Sequence, residues 1–149
     1  MIIYAVNIHT GGGRVLLDEV IKSDIFGPVT YLFHDARYTP PQQNKIVGFF
    51  STRKSLLGRF KAELNLHKLC HELSQQDPKE EILFFGNIPP FKQPLFKSKL
   101  YLQNCYLTRQ IPLPSDSFKE TLRCWLESIL LKFFAQNVSE ILVQSKWML

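Results

Sequence analysis

The stretch Ile2-Ile3-Tyr4-Ala5-Val6-Asn7-Ile8-His9-Thr10-Gly11-Gly12-Gly13-Arg14 decides the fold. Ile2 to Ile8 is an apolar run with β-branched residues, the composition of a strand buried on both faces. Three consecutive glycines end it in a tight turn. From Arg14 to Lys22, Val15, Leu16, Leu17, Val20 and Ile21 then suit a helix packed on a sheet. A buried strand, a glycine turn and a covering helix open an α/β domain.

The same alternation continues along the chain. Val29 to Phe33 and Lys45 to Phe50 read as the second and third strands. Thr52 to Leu73 reads as a helix, with Leu56, Leu57, Phe60, Leu64 and Leu73 near i, i+3, i+4 spacing. Glu81 to Ile88 is a fourth strand, followed by a loop at Pro89, Pro90 and Pro94. Lys99 to Leu107 is a fifth. The clearest helix follows: Ser117 and Glu120 fit a capping box, and Phe118, Leu122, Trp125, Leu126, Ile129, Leu130, Phe133 and Phe134 make one apolar stripe. Glu140 to Gln144 is a sixth strand. The expected fold is a single α/β, Rossmann-like domain, a mostly parallel sheet with helices on both faces. Strand order stays open, because the connections after the second and fourth strands carry no clear helix.

Composition bounds the function. The 149 residues are the size of one domain. With 45% hydrophobic and 21% charged residues, the chain has the profile of a globular protein. The net charge of +5 is mild and scattered. Its densest piece, Arg53 to Lys68, reads as a solvated helix face, with attraction to phosphates, acidic sugars or an anionic membrane as the functional alternative. No nucleic-acid motif accompanies it. Cys70, Cys105 and Cys124 are odd in number and widely spaced, which argues for a reducing compartment. No leader and no membrane-spanning run is visible, so the expected location is cytoplasmic.

In an open α/β sheet, ligands bind at the carboxyl ends of the strands. Those ends read His9 to Arg14, then His34-Asp35-Ala36-Arg37, Ser51-Thr52-Arg53, Gly86-Asn87, Asn104 and Ser145-Lys146. Gly11, Gly12 and Gly13 allow positive φ and close backbone approach, and the helix they lead into offers free N–H groups to an anion. Arg14 adds charge. This is neither the spaced-glycine dinucleotide fingerprint nor a P-loop. His9, His34 and Asp35 are the acid–base candidates. His67 and His71 stand four apart on one helix, but the zinc-protease glutamate is missing and a surface face is the better reading.

These residues carry a resemblance. Ile3 to Leu17 resembles the start of glycosyltransferases of the GT-B fold, especially those that use nucleotide-sugar donors in bacterial surface polysaccharide biosynthesis. Phe84-Phe85-Gly86-Asn87-Ile88-Pro89-Pro90, Tyr101-Leu102-Gln103-Asn104 and Ile141 to Met148 are similar to further pieces of that family. The resemblance covers the whole chain loosely. It implies an N-terminal, acceptor-side domain, 1–149, of a two-domain transferase. The C-terminal donor-binding domain is absent, or supplied by a partner subunit, and the chain alone is inactive. By the same resemblance Gly11, Gly12 and Gly13 form the glycine loop near the donor phosphates. His9 and Asp35 become the catalytic candidates, and Arg14, Arg37, Asn87 and Asn104 join the glycines as substrate-binding candidates. The implied partners are a nucleotide-sugar donor and a glycan or lipid-linked acceptor, with peripheral contact at the inner face of a membrane, no nucleic acid, no metal and no cofactor. Two other readings stay open: a non-catalytic nucleotide- or phosphate-binding module, and a fragment of a dinucleotide oxidoreductase. The second lacks both spaced glycines and a convincing ribose-binding acid.

Overall fold

A computed structural model describes residues 1–23, 28–41, 46–53, 55–75, 79–104, 107 and 118–143. Six strands form one sheet: β1 (Ile2–Ala5), β2 (Tyr31–Asp35), β3 (Gly48–Thr52), β4 (Glu81–Phe85), β5 (Lys97–Leu102) and β6 (Glu140–Val143). The helices are α1 (Gly11–Ser23), α2 (Leu56–Ser74) and α3 (Phe118–Phe134), the last followed by a 3-10 turn at Ala135–Asn137. The sheet order is β3-β2-β1-β4-β5-β6, and every adjacent pair is parallel. This is the doubly wound, Rossmann-like order.

Given this order, handedness fixes the faces on which the helices lie. From β1 to β3 the chain steps one way along the sheet, and from β4 to β6 the other way. Right-handed crossovers therefore place α1 on one face and α2 and α3 on the opposite face. The side chains agree, alternating with the period of two that a strand imposes. Ile3, Ala5, Leu32, Leu83 and Phe85 pack with Leu17 and Ile21 of α1. Ile2, Tyr4, Phe33, Ile82, Phe84 and Leu100 pack with Ala62, Leu66, Leu69 and Cys70 of α2. Leu131 of α3 lies against that second core. Each fully buried leucine or isoleucine contributes about 1.5–3 kcal/mol, so these two layers carry most of the fold.

Two expectations need correction. The glycines are not a turn before the helix; they are its first residues, and of the three only Gly11 takes positive φ, 67°. On α2 and α3 much of the apolar stripe is exposed and other residues meet the sheet. On α2, Leu57, Phe60 and Leu64 are exposed, while Ala62, Leu66, Leu69 and Cys70 meet the sheet. On α3, Phe118 (79% exposed), Leu122, Trp125 (53%), Leu126 and Phe133 (69%) look outward, while Cys124, Ser128 and Leu131 face inward. The charged run Arg53 to Lys68 is only partly a solvated face. Lys61 and Lys68 are exposed, but Arg59 (5%) and Glu63 (4%) are buried. Ser117 of the capping box, Cys105, Gln144 and the pair Ser145-Lys146 lie outside the described residues. No helix among the described residues is long and apolar enough to cross a membrane.

Candidate functional site

β1 and β4 are neighbours whose following chains leave in opposite directions, β1 toward α1 and β4 into a loop on the other side. Such a switch point opens a crevice at the carboxyl edge of the sheet. A cleft of about 510 Å³ lies there. Asn7 and Ile8 after β1, and Gly86, Asn87 and Ile88 after β4, line it at the sheet edge. Ser55 and Arg59 from the start of α2 form one wall, and Arg123, Leu126, Glu127 and Leu130 of α3 form the other.

The walls are braced from below. Ser55 caps α2: it is extended (φ −160°), and its Oγ accepts from the Gly58 N–H at 2.8 Å. Arg59 donates from Nε to Glu63 Oε1 (3.1 Å) and from Nη2 to the carbonyls of Ile88 (3.0 Å) and Pro89 (2.8 Å). Its guanidinium also lies 4.9 Å from the Phe91 ring centre. Glu63 accepts from the Phe91 N–H at 2.8 Å. Burial raises the Glu63 carboxyl above its usual range, and Arg59 and the Phe91 N–H partly offset that. The pair thus pins the loop after β4 to α2. Tyr4 completes the brace by donating its hydroxyl to the Arg59 carbonyl (3.2 Å), and burial raises that phenol too. Opposite, Arg123 Nε stands 3.4 Å from Glu127 Oε1.

Asn87 joins both halves of the edge. Its Oδ1 accepts from the N–H groups of Gln103 (3.3 Å) and Asn104 (3.0 Å), and its Nδ2 donates to Glu127 Oε2 (3.2 Å). Asn104 donates to the Cys124 sulfur at 3.6 Å. Asn87 thus lines the cleft with its own amide committed, and Asn104 lies behind it.

A second group gathers at the ends of β1 and β2. Asp35 is fully buried, and Arg37 grips it with Nε to Oδ1 and Nη2 to Oδ2, both 2.8 Å, plus its own N–H to Oδ1 at 2.9 Å. These bonds hold the carboxyl below its ordinary value against the opposing effect of burial. His9 Nδ1 lies 3.3 Å from Arg37 Nη2 and 3.9 Å from Asp35 Oδ2. With Arg37 as the donor, Nδ1 accepts and the free Nε2 carries the proton, a tautomer assigned from this network. His34 is buried, donates from Nδ1 to the Asp35 carbonyl (2.9 Å) and packs edge-on against Tyr38 and Phe49. It is a packing residue. Tyr38 in turn donates to Asp18 (2.6 Å), and Arg14 stands 3.8 Å from the other oxygen of Asp18.

The glycines lie at the open end of α1. A Cβ on Gly11 or Gly12 would meet nothing within 4 Å, and no acidic residue occupies the first turn. A Cβ on Gly13 would come within 2.7 Å of Gln103 Oε1. The Nε2 of that same glutamine is buried without a hydrogen-bond partner. The first N–H groups of a helix lack internal acceptors, so this corner collects donors.

The structure therefore brings His9, Asp35 and Arg37 together, and Asn87 and Asn104 together. It leaves Arg14 paired along its own helix. Sequence reading missed Arg59, Glu63, Arg123 and Glu127. Both pairs follow an Arg-x-x-x-Glu pattern, the signal that was present. Cys70 is inert, its thiol pushed up to about 11 by burial. Burial and Lys92 lower the His67 imidazole. No group of three or more His, Cys, Asp or Glu side chains suited to a metal occurs among the described residues.

No protein-family model, no curated protein and no solved structure matches the chain.

Proposed function

We propose that this chain is the acceptor-side domain of a two-domain glycosyltransferase that moves a sugar from a nucleotide-sugar donor to a glycan or lipid-linked acceptor. The observation that carries the reading is the cleft at the β1/β4 switch point, flanked by a helix whose first residues are glycines. An acceptor enters between α2 and α3, where Leu126 and Leu130 offer apolar contact and Arg123 and Ser55 polar contact. The departing diphosphate meets the N–H groups at the start of α1, donors fixed before charge develops. His9 donates from Nε2 to an oxygen of the substrate. Asp35 does not act as a base in this scheme; it holds Arg37, and Arg37 sets the His9 tautomer. The donor nucleotide belongs to a second domain, so the chain alone binds donor weakly and turns over nothing.

A second reading, a phosphate-binding module without catalysis, is favoured by one observation. The carboxylate in the cleft lining, Glu127, is already engaged by Asn87 and Arg123. The native protein, pulled down from its source and weighed intact, tests the choice. The account expects a second α/β domain on the same chain or on a co-purifying one, about 40 kDa in all for two such domains. A lone species of 17.4 kDa counts against the transferase and for the binding module.

A further inference from the structure

α3 has three sides. Cys124, Ser128 and Leu131 face the sheet. Arg123, Leu126, Glu127 and Leu130 line the cleft. At about 100° per residue, the remaining side carries Phe118, Leu122, Trp125, Ile129 and Phe133. All but Ile129 are exposed, and Ile129 is half-buried. The stripe runs about 22 Å along the helix and holds no charge. Lys119 and Lys132, both exposed, stand at its edges. An aromatic centre with lysines at the rim is the composition of a protein–protein interface.

The order of the side chains indicates the partner. Read from either end, the stripe is Phe, a branched aliphatic, Trp, a branched aliphatic and Phe, at steps of three or four residues. Such steps are the spacing of a helix–helix seam. A surface that reads alike in both directions complements itself when turned through a half circle, which a two-fold interface requires. Set antiparallel and about 20° off, two α3 helices bring Phe118 over the partner's Phe133 and Leu122 over the partner's Ile129. The two Trp125 rings then meet at the centre, where binding energy concentrates. The area suffices as well. The stripe exposes on the order of 600 Å² per copy, so the pair buries about 1,200 Å², the lower bound of a specific interface.

We propose that the chain forms a two-fold dimer through this side of α3, with the two helices antiparallel and the cleft on a different side of each. The inference does not depend on sugar transfer. It is tested by sedimentation equilibrium of the full chain at micromolar concentration. The expected mass is twice 17.4 kDa. Trp125→Ala should weaken self-association about thirtyfold, and Phe133→Asp should give a monomer. Both should keep the far-ultraviolet spectrum of the parent, because the two sites are exposed. Orientation is read by mild oxidation in a Cys105→Ser background, in which Cys70 and Cys124 are buried. A mixture of Phe118→Cys and Phe133→Cys chains should cross-link, and neither chain alone should, since like ends lie roughly 20 Å apart. A species of 17.4 kDa at every concentration, a dimer that Trp125→Ala and Phe133→Asp leave intact, or cross-linking of Phe118→Cys with itself overturns the proposal. A monomer that sediments with lipid vesicles, and ceases to with Phe133→Asp, overturns it and assigns the stripe to a lipid surface.

Discussion

Replacing Arg59 by methionine probes the brace under the cleft. The substitution keeps the aliphatic stem and removes three donated bonds, to Glu63, Ile88 and Pro89. Removing one partner of a buried ion pair costs about 3–5 kcal/mol, because the other charge stays behind. Glu63 can escape part of this by protonating, since burial already raises its pKa. The sign is fixed by linkage. A carboxyl whose folded pKa lies above its unfolded value binds more protons when folded, so stability is full below about 4.5, the ordinary value, and falls as pH rises through the folded pKa. The slope reaches about 1.4 kcal/mol per pH unit. Urea unfolding should therefore find Arg59→Met weaker than the parent by about 3–4 kcal/mol at pH 7 and by clearly less at pH 5. Arg59→Met with Glu63→Gln should recover most of the pH 7 loss. A loss under about 1 kcal/mol, or one that does not change with pH, refutes the buried pair and restores the solvated-face reading of α2.

Three further outcomes follow. Gly12→Ala, in helical backbone with open space at the Cβ, should leave stability unchanged or raise it by up to about 0.5 kcal/mol, whereas Gly11→Ala, at φ 67°, should cost about 1 kcal/mol in the same urea titration. Asp35 has a folded pKa below its ordinary 3.8, so its contribution is present above that value and lost as pH falls through the folded pKa. Arg37→Gln should flatten the acid limb of a thermal-melt series, and an unchanged limb would place the cluster's charge elsewhere. Leu66→Ala, at the α2–sheet contact, should cost about 2–5 kcal/mol while Phe133→Ser costs less than about 1 kcal/mol; the reverse ranking would mean that α3 presents its other side to the sheet.

Much of the fold was legible because each strand is a short apolar run ended by polar or glycine-rich sequence. Each of the six strands lies on or overlaps its expected segment. Strand order was not legible, because among the described residues no helix separates β2 from β3 or β4 from β5, and crossover handedness acts only where a covering helix exists. Helix rotation was not legible for a different reason. α2 carries leucines on both sides, so spacing alone cannot tell Leu57, Phe60 and Leu64 from Leu66 and Leu69. What decides is the fit of the smaller residues, Ala62 and Cys70, in the core with Tyr4 and Phe84, and the buried Arg59–Glu63 pair, whose Arg59 carbonyl accepts from the Tyr4 hydroxyl. In the candidate site, His9, Asp35 and Arg37 were legible from the strand-end rule. Arg59 and Arg123 were not, because an arginine and a glutamate four apart on a helix read as a solvated pair.

The central claim is that the cleft between α2 and α3 receives the acceptor of a sugar transfer. Its most direct test follows the transfer of labelled sugar from nucleotide-sugar donors to a membrane extract by the native assembly containing this chain, with and without Leu126→Trp. That substitution fills the cleft from an exposed position on its wall. The account predicts transfer by the parent and its loss in the variant at an unchanged melting temperature. Transfer that persists with the cleft filled, or a parent that transfers nothing from any donor, would contradict it.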